Sequence, residues 1–269
     1  MQLAEPIAAS WTASLALGFE SRQGRTVLGS RRAEGPLAIQ KPLYPEGGDL
    51  CHAIVVHPPG GIAGGDELTL SVRAARESAA LLTTPGAGKW YRSAGAWAKQ
   101  KLSFDVEGSL EWLPRETIVY DGALADLDCE IRLASGARYI GWEIVCLGRT
   151  GSGERFTRGK VRLRAAVLRD DRLLWLERGT IDGGGRILAS PAGLAGSTVF
   201  GTLIATLEAT ELLSACRTIA PTTQLPGLIV SRYLGDSTQE AFERFSSLWK
   251  LLRPSVMQRE AVLPRIWST

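Results

Sequence analysis

Leu102, Phe104 and Val106 alternate with Lys101, Ser103 and Asp105, and after Glu107-Gly108-Ser109 the pattern resumes at Leu110 and Trp112. An apolar residue at every second position puts one face of an extended strand in a core and the other in water, which a helix cannot do. The same period runs through Val161, Leu163, Ala165 and Val167, set against Arg162, Arg164 and Ala166. Asp170-Asp171 then makes a turn, and residues 173–176 continue beyond it. Short apolar runs at 53–56, 79–83, 118–120 and 198–207 fit the scheme, and thirty glycines with thirteen prolines supply the turns. The pattern predicts a mainly β chain with the strands in an antiparallel meander.

One segment departs from this period. Ser237-Thr-Gln-Glu240 matches a capping box, and Phe242, Phe245, Trp249 and Leu252 follow at helical spacing before Arg253-Pro254 interrupts it. A helix is predicted over 237–252. The apolar run at 139–147 reads either as a second short helix or as a strand. With no linker composition in view, residues 1–269 read as one β-rich domain. The tail ends in Leu-Pro-Arg-Ile-Trp, too apolar for a free end, and is expected to dock on the body or on a partner.

Charge excludes one class of function. Against 31 basic residues stand 28 acidic ones, for a net +3, and no long basic run exists, so nucleic acid is not an expected partner. Lys160-Val-Arg-Leu-Arg164 alternates charge with apolar residues and reads as a strand with a solvated face. No apolar run approaches the roughly 20 residues of a membrane helix, and the opening MQLAEPIAASW lacks the layout of an export signal. A cytoplasmic protein is expected, with Cys51, Cys129, Cys146 and Cys216 as reduced thiols, most of them small buried apolar residues.

The nucleotide-binding patterns fail on inspection. Thr83-Thr-Pro-Gly-Ala-Gly88-Lys89-Trp90 has Thr83 where a P-loop needs its first glycine and Trp90 where it needs a hydroxyl, and no helical pattern follows. It reads as a tight turn presenting Lys89, Trp90, Tyr91 and Arg92, a composition suited to a protein interface. Gly151-Ser-Gly153-Glu-Arg-Phe156 puts phenylalanine where a dinucleotide fingerprint needs its third glycine, and Gly183-Gly184-Gly185 reads as a turn. No G-x-S-x-G elbow occurs, and His52 and His57 are the chain's two histidines. His52 adjoins Cys51 near a strand, so one of the pair should point inward. A structural zinc site is excluded by the absence of C-x-x-C.

The acidic residues carry what chemistry remains. Asp66 and Glu67 close HPPGGIAGGDEL, residues 57–68, as a solvated turn or as weak oxygen ligands for a divalent ion. Glu143 and Glu177 lie inside apolar segments, where a carboxylate is costly unless paired or functional. Arg149, Arg155, Arg158 and Arg178 are near enough in sequence to pair with them.

HPPGGIAGGDEL, TTPGAGKWYRS, EWLPRETIVYDGA, GWEIVCLGRTGSGERFTRG and the late LLRP and PRIW, taken in order, resemble the UreD/UreH-type urease accessory proteins. The match runs from about residue 50 to the C-terminus, and the first 45 residues carry less of it. The resemblance implies a helix-like stack of antiparallel and mixed strands with about two α-helices. It implies no enzymatic activity and no tightly bound cofactor. It implies a scaffold in a hetero-oligomeric complex that binds apo-urease, the helical accessory protein UreF and, through UreF, the GTPase UreG, to which any GTP belongs. Nickel would pass in transit to urease through a water-filled internal route, with Asp66, Glu67, Glu143 and Glu177 at the family's acidic positions along it. The motif around Cys146 and Glu154 is also present. Such a conduit must attract a hydrated dication without trapping it, which scattered carboxylates do and a Cys-His cage does not. Two other readings stand beside this one: a β-rich hydrolase using His57 with Asp66, and an interaction module with no role in metal transfer.

Overall fold

The computed structural model describes residues 10–208 and 211–268, so the first nine residues of MQLAEPIAASW lie outside the described residues. β1 (Thr12–Arg22) and β2 (Arg25–Glu34) form a hairpin over Gln23-Gly24, both at positive φ. The two-residue β3 (Ala38–Ile39) pairs with β4 (Cys51–Val56). From β4 the chain passes to and fro between two sheets: β5 (Glu67–Ala74), β6 (Ala79–Thr83), a short β7 (Gly88–Trp90), β8 (Ala98–Val106), β9 (Ser109–Leu113), a short β10 (Thr117–Val119), β11 (Leu124–Leu133), β12 (Arg138–Leu147) and β13 (Lys160–Arg169). β5, β8, β11 and β13 stack in parallel in one sheet, and β4, β6, β9 and β12 in the other. Each coil thus adds one strand to each sheet, and the chain is a mainly β, helix-like stack.

The parallel coils correct the antiparallel meander. Alternation fixes which face of a strand is buried but not which strand lies beside it. Glu107-Gly108-Ser109 is not a hairpin turn. It is a corner at which the chain leaves β8 for β9 in the opposite sheet. Gly108 sits on the corner of the preceding coil, where an added Cβ would lie 2.3 Å from the Ser78 carbonyl oxygen. The antiparallel expectation holds at the ends of the stack. β13 and β14 (Arg172–Asp182) form a hairpin over Asp170-Asp171, both left-handed, and β15 (Val199–Thr206), β17 (Leu228–Gly235) and β16 (Thr222–Leu225) extend the second sheet beyond β12, each antiparallel to its neighbour.

Register turns alternation into columns. Leu15, Leu70, Leu102, Cys129 and Ala165 are successive partners across the first sheet, as are Leu17, Val72, Phe104, Ile131 and Val167. These columns and the inner face of the second sheet make the main core. All four cysteines are free and buried. Both Cys51 and His52 are buried, on opposite faces of β4, with Cys51 in this core.

The outer face of the second sheet is covered by α3 (Thr238–Met257) and forms a second core with Trp142, Phe242, Phe245 and Trp249. Ser237 caps α3 by accepting from the Glu240 amide at 3.1 Å, while the Glu240 side chain turns instead to Tyr233 and Arg244. Residues 139–147 are strand β12, not a helix, because the run alternates between the two cores. The other helices are one turn at α1 (Arg186–Ala189) and the short α2 (Leu213–Ile219), three α-helices among the described residues rather than two. The helix predicted to end at 252 runs to Met257 through Pro254. Proline removes one helical donor, the one that would bond to the carbonyl of Lys250, a residue on the exposed side of the helix. The apolar tail docks on the body: Trp267 packs on Phe242, Trp142 and Trp249, and its Nε1 donates to Thr83 Oγ1 at 2.9 Å.

Arg253 fixes α3 to the sheet. The guanidinium is fully buried and directs all five N–H groups to acceptors: both oxygens of Glu46, both of Glu111 and the Glu260 carbonyl. Trp249 Nε1 also donates to Glu111 at 2.6 Å, and His52 Nε2 lies 2.8 Å from Glu46. Burial alone would raise the Glu46 carboxyl, but hydrogen bonds from His52 and Arg253 outweigh it and hold it below its ordinary range. Arg253→Ala leaves two buried carboxylates without their cation and is expected to cost about 3–5 kcal/mol. Ser237→Ala, which removes only the cap, is expected to cost about 1 kcal/mol. Urea unfolding followed by tryptophan fluorescence checks the order of the two.

Candidate functional site: carboxylates in the space between the sheets

The core between the sheets is not filled throughout. One cavity of about 330 Å³ lies under the loops that precede β5 and β7 and is lined by His57, Gly61, Lys89, Thr117, Gln100 and Glu143. A second, of about 100 Å³, lies toward β13–β15 and is lined by Cys129, Tyr139, Glu143, Arg164, Glu177 and Thr202. The two share Gln100, Leu102, Trp112 and Glu143 as a common wall. Each is large enough to hold water.

Glu143 stands where they meet. On β12, residues 139, 143, 145 and 147 face the main core, so the strand's own alternation carries this carboxylate inward. Its Oε1 accepts from Trp112 Nε1 at 2.7 Å. Glu143 is half-buried and lines both cavities. Burial pushes its carboxyl up to about 7, only partly offset by the Trp112 hydrogen bond. Near neutral pH it is therefore divided between its protonated and ionised forms.

The neighbouring groups form no closed ligand set. Burial pushes the Cys129 thiol well above its ordinary value, with Glu143 raising it further, so no thiolate forms there. Burial lowers His57, opposed by the Asp66 charge, so its imidazole is neutral, and its buried Nε2 has no hydrogen-bond partner. Among the described residues, no three of His, Cys, Asp and Glu converge on one point.

The four expected acidic positions separate into different environments. Glu143 and Glu177 both line the cavity system. Glu177 is 43% exposed at its outer end and paired with Arg232 Nη1 at 2.6 Å, with Thr202 beside it. Asp66 is buried and does not line the cavity: its oxygens accept from the Trp11 and Ala63 amides at 2.8 and 2.7 Å. It thereby ties the GGIAGG loop to the start of β1. Glu67 points outward and pairs with Lys99 at 2.6 Å. Adjacent residues on a strand face opposite ways, which separates this acidic pair. A His57–Asp66 dyad is not formed, since both Asp66 oxygens are taken by backbone amides and His57 Nε2 has no partner.

The expected interface residues also divide. Trp90 is buried, correcting the surface reading, whereas Lys89, Tyr91 and Arg92 are exposed. Trp90 belongs to a short third ladder: Ile62 bridges to Trp90, β7 pairs with β10, and β10 pairs with β12. Four of the five motif segments supply this ladder, one to each successive coil.

The sequence reading missed several residues that hold this region. Gln100 occupies the inward phase of Leu102 and Phe104, a polar break in the alternation that could have marked the cavity. Asp121 accepts from the Thr157 and Arg158 amides, the Thr157 hydroxyl and the Arg158 guanidinium. These bonds overcome its burial and hold its carboxyl far below the usual range. Glu46, Glu111 and Arg253 carry no local signal at all.

The model of the family described as UreD urease accessory protein matches residues 12–268. The chain belongs to the UreD family. It is 52% identical to the urease accessory protein UreD of Dechloromonas aromatica (strain RCB), over 97% of this chain and 95% of the relative. It is 51% identical to UreD of Azoarcus sp. (strain BH72), over 96% and 94%, and 49% identical to UreD of Pseudomonas aeruginosa PAO1, over 97% and 96%. As a UreD-family member, the chain is a urease accessory protein, a maturation factor. No helix among its described residues is long and apolar enough to cross a membrane.

Glu143 makes a direct prediction about pH. Its folded-state pKa lies above the ordinary carboxyl value of 4.5, so the folded protein holds the extra proton more tightly than the unfolded chain. The stability this gives is complete below about pH 4.5 and is lost as pH rises through about 7. Glu143→Gln should therefore match the wild type at pH 4.5 and exceed it at pH 8 by on the order of 3 kcal/mol. Urea midpoints at the two pH values measure this, and parallel pH profiles would refute it.

Proposed function

We propose that this chain is a non-enzymatic scaffold of urease maturation that passes nickel to apo-urease through the space between its sheets. The observation that carries this reading is the pair of adjoining cavities with Glu143 at their common wall and Glu177 at one end. A hydrated dication needs negative charge to leave bulk water but must not meet a closed ligand set. Glu143 supplies a carboxylate that loses its proton when a cation arrives. The protonated Cys129 and the scattered placement of the acids leave nothing to trap the ion.

In this scheme the chain works inside a cytoplasmic complex with apo-urease, UreF and, through UreF, UreG, which brings the nickel and hydrolyses GTP. Asp66 contributes by holding the loop over the larger cavity, and Glu67 serves the outer surface. Nickel is cargo here, and the chain keeps no resident cofactor.

Co-expression with a urease operon lacking its own copy of this gene tests the reading. Urease should acquire nickel and activity only when the chain is present, and full loading without it would overturn the proposal. Glu143→Leu should lower the nickel content of urease at least about fivefold while the complex still co-purifies, an effect on transfer of about 1 kcal/mol or more. Glu67→Ala should leave loading unchanged. Nickel per urease, measured by elemental analysis of the purified enzyme, distinguishes the variants.

A further inference from the structure

The loops beyond the third ladder gather a surface that the cavity does not use. Tyr91, 39% exposed, meets Tyr120 edge to face with ring centroids 5.2 Å apart. The Arg149 guanidinium lies over Tyr120 at 4.8 Å and pairs with Glu154 at 2.8 Å. Glu154 also accepts from the Asp121 amide, and Asp121 holds Arg158 at 2.8 Å and Arg92 at 3.9 Å. Arg155 follows Glu154 in the same loop and is exposed. The contacts from Tyr91 to Arg158 make one continuous surface, and Arg155, beside the hollow lined by Leu188 and Gly196, flanks it in sequence.

Its charge is one-sided. Four arginines stand against two carboxylates, and both carboxylates are turned inward, Asp121 nearly buried and Glu154 mostly so. Arg92 and Arg158 remain 64% and 65% exposed. An excess of two positive charges here compares with a formal net charge of +3 for all 269 residues. The basic face is therefore local. Arg149 and Arg158 each give Nε and one amino group to an internal carboxylate, which fixes the plane of the guanidinium in advance. Planar, pre-oriented guanidinium groups around the exposed Tyr91 and the half-buried Tyr120 suit bidentate pairing with carboxylates and supply the residue types that dominate interface energies.

We propose that this face, with Tyr91 and Tyr120 at its centre and Arg92, Arg149, Arg155 and Arg158 around them, docks an acidic segment of a partner protein. The inference rests on the reading that the chain works by binding other proteins, and it assigns the chemistry and the place of one such contact. A nucleic acid fits less well. Its phosphates need a basic stripe along a groove, whereas this patch is compact and the rest of the chain is nearly neutral.

The test uses the full chain with Arg92→Glu and Arg155→Glu together, positions that leave the Asp121–Arg158 and Arg149–Glu154 pairs in place. Binding of apo-urease and of the UreF–UreG assembly is measured separately from about 50 to about 500 mM salt. At low salt, one of the two should bind the double variant at least about tenfold more weakly than the wild type. The wild-type affinity for that partner should fall with salt more steeply than the variant's. Tyr91→Ser, with an unchanged melting temperature, should weaken the same partner and not the other. If both partners bind the wild type and the double variant alike, this proposal fails while the scaffold reading stands. If neither partner binds the wild type, the scaffold reading fails with it. Binding of a short DNA duplex as tightly as of either protein, with the same loss in the double variant, would reassign the face to nucleic acid.

Discussion

A fully buried arginine holds the molecule's outer layer in place. Arg253 joins α3 to Glu111 on β9 and to Glu46 in the segment before β4, with Trp249 and His52 closing the set. A buried charge is tolerable only when it is paired and its hydrogen bonds are complete, and here every guanidinium N–H has an acceptor. The arrangement lets α3 cover a sheet face that carries a carboxylate, and the inner face of the same sheet is left free for the core. Because polar demands are met on the outer side, most of the inner face can remain apolar around Glu143.

The cavity follows from the same division. Columns of aliphatic side chains fill the stack where partner residues are large, as with Val72, Phe104 and Ile131. Space opens where Gln100, Cys129 and Gly141 occupy the inward positions. A carboxylate placed there keeps only a partial exposure, toward the cavities, and burial raises its pKa to about 7, so both protonation states are present near neutral pH. The strand register thus produces a site that can take up positive charge without holding it, which is what the proposed passage of nickel requires.

Much of this was legible in the chain. Period-two alternation located β8, β9 and β13 to within a few residues, short apolar runs located β6 and β15, and the capping box located the start of α3. Sheet membership was not legible, because a corner such as 107–109 and a hairpin turn draw on the same residue types. Glu111 lies between Leu110 and Trp112 and reads as a solvated position, but α3 covers that face from 142 residues away. Trp90 reads as a surface aromatic beside Lys89 and Tyr91, yet its phase on β7 turns it inward. Asp66 and Glu67 read as a pair, yet one holds a loop and the other faces out. Of the two carboxylates embedded in apolar runs, Glu143 turns inward and lines both cavities, whereas Glu177 reaches the surface and pairs with Arg232.

The stacked coils also set how the chain must reach this state. Apart from the terminal hairpins, a strand in the stack does not pair with the next strand in sequence; Glu67 on β5 meets Lys99 on β8, about thirty residues on. Every rung therefore closes a long loop before any pairing rewards it, which makes assembly slow. During that delay a partly wound stack presents an open strand edge at its growing end, and unpaired edges recruit other chains. Arg253 finds its carboxylates only once β9 and α3 have met, which joins residues 142 apart in sequence and locks the outer layer. The interval before that lock is when early engagement by a binding partner would most improve the yield of folded protein.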